Sequence, residues 1–329
     1  MIKKIIIATL TIFFLYNALL YMIKPISAGY VVDYSQIAFM KGFISVSHSL
    51  WQKNVITAEE YIYSPSRKKY VIIGSSLSGH INKSILPDGF YNISFSGGSI
   101  YEGMELAKKS NVLPEIMFIE MNLFLRPMQS DFNKSMSFPG MILLKKYLPA
   151  LQEKNQPINI FFPCLVKIYY NIKKIFIPEN KKVVATPQDG HARFPQQSKI
   201  KKSKVFSIML GKEQKKYKIP PQREIVESQI KILKKYVEYF DKKNITIVFF
   251  EMPVDATLCS MPWPDYSRNI LYKEFTRDKY FYIAQPDCGQ FETADGLHLD
   301  SKSGIEYTKY FVKEFNNTIT SHKYGHAGG

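Results

Sequence analysis

The chain carries 44 Lys and Arg against 28 Asp and Glu, a formal charge of +16, with 46% hydrophobic and 22% charged residues over 329 positions. That balance excludes a disordered, collagen-like or disulfide-dense scaffold and leaves material for one large domain or two ordinary ones around a sizeable core. Three cysteines, Cys164, Cys259 and Cys288, are too few to frame a fold and none sits in a CxxC spacing; a single Cys259–Cys288 bridge is left open.

The first element is an uncharged run from Ile5 to Ile23, IIIATLTIFFLYNALLYMI. At 1.5 Å per residue it is just long enough to cross a hydrocarbon layer about 30 Å thick. Lys3, Lys4 and the amino terminus precede it and only Lys24 follows closely, so the positive-inside bias predicts a cytoplasmic N-terminus and an exported body. A cleaved signal peptide ending at Ile26-Ser27-Ala28 is the alternative, although Ile fits that site poorly and the apolar run exceeds the usual ~7–15 residues. Both readings export the protein, and the first places it in the inner (cytoplasmic) membrane as a single-pass protein. Without Lys3, Lys4 and Lys24 the remainder keeps 41 basic residues and an excess of +13. Such a surface suits anionic lipid headgroups or an acidic envelope polymer, and no nucleic acid partner is expected there.

Residues 29–66 read as a connector with a helical portion, in which Ile44, Val46 and Leu50 alternate with polar positions up to Ser64-Pro65-Ser66. From there to about residue 320 the rhythm is that of an α/β domain, with 321–329 as a tail. Short, almost wholly apolar runs at Lys69–Gly74, Tyr91–Phe95, Glu115–Met121, Ile245–Phe250 and Tyr280–Ala284 predict strands covered on both faces. Helical stretches are predicted at Ser99–Asn111, at Glu224–Lys243 with a stripe of Ile225, Ile230, Leu233, Val237 and Phe240, and at Ser303–Asn316. Alternating strand and helix imply a three-layer parallel α/β sheet with right-handed crossovers. Between the third and fourth strands, from about 126 to 222, frequent prolines and dense lysine mark an insertion; Lys199, Lys201, Lys202, Lys204, Lys212, Lys215, Lys216 and Lys218 face only Glu213. That field could attract phosphate or carboxylate groups, or it could be a solvated loop.

Chemistry gathers at the predicted strand ends. Gly74-Ser75-Ser76 follows the first strand, where a glycine permits a sharp exit and a helix N-terminus can face developing negative charge. Serine is a poor nucleophile unless an imidazole takes its proton and a carboxylate orients that imidazole, and Asp295-Gly-Leu-His298 supplies both groups within one turn. Gly97 and Gly98 after the second strand can offer a bare N–H, and Asn122 after the third an amide donor. His80, four residues past Ser76, could line the same mouth. His48, His191, His322 and His326 show no ligand spacing, and no phosphate-binding or dinucleotide fingerprint appears, so neither metal nor cofactor is expected. Trp263 and Tyr266 in MPWPDY could form a sugar platform, with core packing the expectation preferred.

The ordered set Gly-Ser-Ser, Gly, Asn, Asp-x-x-His resembles the SGNH (GDSL-type) hydrolase superfamily over residues 67–125 and 244–317. The tail from Asp295 to Gly304 is its most specific part. The resemblance implies a flavodoxin-like α/β/α sheet, Ser76 as nucleophile, His298 as base and Asp295 as its orienting acid. Gly97, Asn122 and the Ser76 amide would form the oxyanion hole, with His80 and Gly98 as weaker substrate contacts. Ser75 stands where many members have Asp, and Glu120-Met-Asn122 replaces the glycine-bearing GxND. These variants resemble the membrane-anchored, extracytoplasmic SGNH-like proteins of envelope-polymer acylation, such as those of alginate O-acetylation and D-alanyl-lipoteichoic acid biosynthesis. The implied activity is a serine O-acyltransferase or acyl esterase on a cell-surface polysaccharide or anionic polymer, its acyl donor supplied by an integral membrane acyltransferase. A noncatalytic scaffold or polymer-binding subunit is the alternative.

Overall fold

Five short strands form one all-parallel sheet in the computed structural model, which describes residues 2–22, 46–63, 68–110, 113–157 and 204–325. They are β1 (Tyr70–Ile73), β2 (Phe90–Asn92), β3 (Ile116–Glu120), β4 (Thr246–Phe250) and β5 (Phe281–Tyr282), in the order β2-β1-β3-β4-β5. Each expected strand is present, shorter by one to three residues. Ile72 faces Phe118 and Phe118 faces Val248 across the ladder. All three side chains are fully buried, as central strands covered on both faces require. The strand order reverses beside β1, so the crevice of a doubly wound sheet opens where β1 and β3 end.

The helices, in chain order, are α1 (Ile2–Met22), α2 (Val46–Tyr63), α3 (Ile100–Lys109), α4 (Ser130–Ser137), α5 (Pro139–Tyr147), α6 (Lys204–Tyr217), α7 (Arg223–Asp241), α8 (Ala256–Cys259), α9 (Pro262–Glu274) and α10 (Ser301–Gly325). α10 covers one sheet face, where Tyr307, Phe311 and Phe315 pack with Ile72, Phe118, Val248 and Phe250. α3 and α7 pack against each other, α3 on β1 and α7 on β4. The buried stripe of α7 runs Val226, Ile230, Leu233, Val237, Phe240. Ile225, assigned to that stripe from the sequence, is exposed, because steps of four and three residues back from Leu233 reach 226 and not 225.

The chain divides into two compact units, one of Met1–Ser64 with Lys134–Ala192, the other of Pro65–Asn133 with Arg193–Gly329. The sheet belongs to the second. α1 is long and apolar enough to cross a membrane, with a mean hydropathy of 2.0. Of the lysine-rich stretch, Lys199, Lys201 and Lys202 lie outside the described residues, while Lys212, Lys215 and Lys216 ride on α6. His191 and His326 also lie outside the described residues.

Candidate active site

The site is built at the carboxyl ends of β1 and β3. β1 ends at Ile73, and after Gly74-Ser75-Ser76-Leu77 the chain turns through a single 3-10 turn, Ser78–His80. α10 presses onto that turn: a Cβ on Gly304 would lie 2.9 Å from the His80 carbonyl oxygen, so only glycine allows the approach. The Asn82 N–H donates to Thr308 Oγ1 of α10 at 2.8 Å. This contact carries the segment before α10 to Ser76.

That segment is closed on itself by hydrogen bonds. The Ala294 N–H donates to the His298 carbonyl (2.7 Å), and Thr293 and Leu299 form an isolated antiparallel bridge. Asp295 Oδ1 accepts the N–H groups of Leu297 (3.0 Å) and His298 (2.7 Å), closing the turn with its own side chain. Leu297 packs into two core clusters and anchors the loop from below. Asp295 Oδ2 then lies 2.7 Å from His298 Nδ1, and His298 Nε2 lies 2.9 Å from Ser76 Oγ, a contact between residues 222 positions apart. Burial raises the Asp295 carboxyl, but the hydrogen bond and charge of His298, with the two N–H groups, outweigh it and hold the group below the usual aspartate range. Asp295 is therefore ionised at neutral pH, with Oδ2 facing His298 Nδ1 while Nε2 faces Ser76 Oγ.

Beneath Ser76 lies a group that the sequence reading did not assign. Glu120, the last residue of β3, is fully buried, and its carboxylate accepts four donors from the turn that carries Ser76. These are the N–H groups of Ser75 (2.9 Å) and Ser78 (3.2 Å) and the hydroxyls of Ser75 (2.7 Å) and Ser78 (2.6 Å). Ser78 Oγ also meets Ser94 Oγ at 2.7 Å, and Asn92 Nδ2 donates to the Ser78 carbonyl at 2.8 Å, which ties the end of β2 to the same turn. The signal was present in the sequence as two departures from the SGNH pattern. Ser75 lacks an acid where many members carry one, and Glu120 brings an acid where they carry glycine. In space the two positions touch, Glu120 accepting both the N–H and the hydroxyl of Ser75.

The remaining expected residues surround this centre. Gly97 is exposed, with φ 76°, in the turn after β2; that turn is held by the Phe95 N–H on the Gly74 carbonyl (3.2 Å) and by the capping box of Ser99 and Glu102. Gln129 Nε2 and Arg126 Nη1 donate to the Gly97 and Gly98 carbonyls at 2.8 and 3.0 Å. The Gly98 N–H is taken by the Phe95 carbonyl at 3.0 Å. Asn122 makes a two-way pair with the backbone of Met252, Nδ2 donating to the carbonyl (2.9 Å) and Oδ1 accepting the N–H (2.7 Å), which leaves one amide hydrogen uncommitted. Among the described residues no hydrogen bond joins Gly97 or Asn122 to Ser76. His80 lies beside His298, ring centroids 5.4 Å apart. Trp263 packs against Tyr217 at 6.4 Å in a small apolar cluster. Among the described residues no group of three or more His, Cys, Asp or Glu could hold a metal ion.

Cys259 and Cys288 are joined by a disulfide. The bridge ties the end of α8 to the loop leading toward Asp295, and the Asp255 N–H at the start of α8 donates to the Gly296 carbonyl at 2.8 Å. Arg268 of α9 braces the same corner, paired with Glu251 through two bonds and donating to the Cys259 carbonyl at 2.7 Å.

Comparison with protein-family models, with curated proteins and with solved structures yields no match.

Proposed function

We propose that the protein is an SGNH-like serine acyltransferase or acyl esterase, held at the extracytoplasmic face of the inner membrane by α1 and acting on a cell-surface polysaccharide or polymer. The observation that carries this reading is the unbroken line of hydrogen bonds Ser76–His298–Asp295 at the mouth of the sheet. Ser76 Oγ attacks the acyl carbonyl and gives its proton to His298 Nε2, while the ionised Asp295 stabilises the imidazolium. The carbonyl oxygen takes the negative charge and is met by the Ser76 N–H, the Gly97 N–H and the uncommitted Asn122 amide hydrogen. His298 returns the proton to the departing alcohol, leaving an ester on Ser76. A second hydroxyl, from a sugar or from water, then gives its proton to His298 and takes the acyl group, regenerating Ser76. The basic exported part, with its +13 excess, suits an anionic acceptor, and a tether at the membrane suits delivery of acyl groups by an integral membrane acyltransferase.

A fluorophosphonate probe is expected to label the wild-type chain at Ser76, and Ser76→Ala to abolish labelling while thermal unfolding is preserved. Mass spectrometry of surface polysaccharide from cells carrying Ser76→Ala should then lack an acyl mass present in the parent. Labelling that survives the substitution would reject Ser76 as the nucleophile. An unchanged polysaccharide would favour the scaffold reading.

A further inference from the structure

The unit that contains α1 also contains α5, and α5 is apolar in an unusual place. Phe138, Leu143, Leu144 and Tyr147 are 65%, 58%, 47% and 59% exposed, in and beside a nine-residue helix with no acidic side chain. The chain that follows α5 docks onto the second half of α1. Tyr21 Oη donates to the Tyr147 carbonyl (2.7 Å), Tyr16 Oη to the Asn155 carbonyl (2.6 Å), and the Ala150 N–H donates to Asn17 Oδ1 (3.0 Å). Asn17 is the one amide side chain in α1 and is itself buried. Five residues separate Asn17 from Met22, so this contact lies about 8 Å along the helix axis from the end of α1.

If α1 spans the bilayer, that contact falls within the hydrocarbon margin, where irregular backbone persists only if every polar group has a partner. The docked segment supplies several of these partners from its own side chains. Gln152 Nε2 donates to the Lys145 carbonyl (2.8 Å), Asn155 Nδ2 to the Pro149 carbonyl (2.9 Å) and Gln156 Nε2 to the Ala150 carbonyl (3.0 Å). At nine residues α5 is about 13 Å long, too short to cross and of the right size to lie in the plane of the interface, where such helices sink ~5–10 Å. Its two cations suit the headgroup boundary: Lys145 is paired with Glu59 of α2, and Lys146 lies 5.6 Å from the centre of the Tyr147 ring.

We infer that residues 138–157 form a membrane-embedded element, with the apolar side chains of α5 lying in the outer leaflet beside α1 and lipid as their occupant. The inference rests on the reading of α1 as a span. It is tested on the full-length chain with Cys164 replaced by Ser, carrying a nitroxide at Leu144→Cys or Phe138→Cys. Leu10→Cys on α1 serves as the lipid reference and Arg223→Cys as the water reference. In liposomes of phosphatidylethanolamine and phosphatidylglycerol, collision with oxygen relative to a water-soluble nickel chelate should be several-fold higher at 144 and 138 than at 223, matching residue 10. A ratio at 144 and 138 like that at 223, with residue 10 still in lipid, overturns the inference and leaves the span intact. Shielding of 144 and 138 from both reagents assigns the face to a protein partner and overturns it as well. A water-exposed residue 10 rejects the span, and the embedded element with it.

Discussion

Ser76, the proposed nucleophile, sits on a turn whose shape is set by the residue below it. Glu120 gathers the donors on either side of Ser76 onto one buried side chain, and leaving a buried polar group without its partner costs about 1–3 kcal/mol. Glu120→Gln keeps the volume but turns an acceptor into a donor facing donors. It is expected to lower stability by about 2–3 kcal/mol, and to slow fluorophosphonate labelling of Ser76 by about 100-fold if the hydroxyl shifts by ~1 Å. The double exchange Ser75→Asp with Glu120→Gly, which returns the charge to the other side of the contact, should recover much of the labelling rate. Equal rates in wild type and Glu120→Gln would show that the turn holds its shape without the carboxylate. Ser76, Asp295 and His298 were legible in the sequence because their chemistry is written in local words, a serine after a strand and an acid three residues before an imidazole. Glu120 was not, because an acid closing an apolar strand looks like any strand end and its partners lie more than 40 residues away.

Among the elements, strands were the easier to find. Apolar, β-branched runs of about five residues have few other uses, and all five pair. Helices α4 and α5 escaped because proline was taken as interruption, and α9 because the proline-rich MPWPDY segment was read for Trp263 and Tyr266 alone. Pro139 and Pro262 instead begin α5 and α9 at the first helical turn, where the missing N–H costs nothing. α6 was hidden by lysine, which masks an apolar stripe. The disulfide between Cys259 and Cys288 belongs to this scale as well: it closes a 29-residue separation, which in the chain-entropy model is equivalent to about 3–4 kcal/mol. Since α8 also holds the Gly296 carbonyl, a Cys259→Ser variant is expected to lose thermal stability and, at temperatures where it remains folded, to show slower labelling of Ser76. Full labelling in a folded, reduced protein would mean that the corner of α8 and α9, braced by Arg268, holds Asp295 and His298 unaided.

At the level of the whole molecule, sequence and structure agree on an apolar N-terminal helix followed by a parallel α/β body. The pairing of Met1–Ser64 with Lys134–Ala192 was not legible, since only three-dimensional contacts join those stretches. The charge pattern around α1 predicts that protease added outside spheroplasts digests the sheet-bearing unit and spares a short N-terminal fragment, as read by antibodies against each end. Protection of the α/β body would reverse the assigned topology. The contact of Ser76 with His298 has a further consequence in time. A ribosome that has made the hydroxyl must add 222 more residues before the imidazole exists, and α10 must then close on the His80 turn. On the proposed reading, acyl chemistry would therefore wait until the chain has been made as far as α10 and that helix has docked.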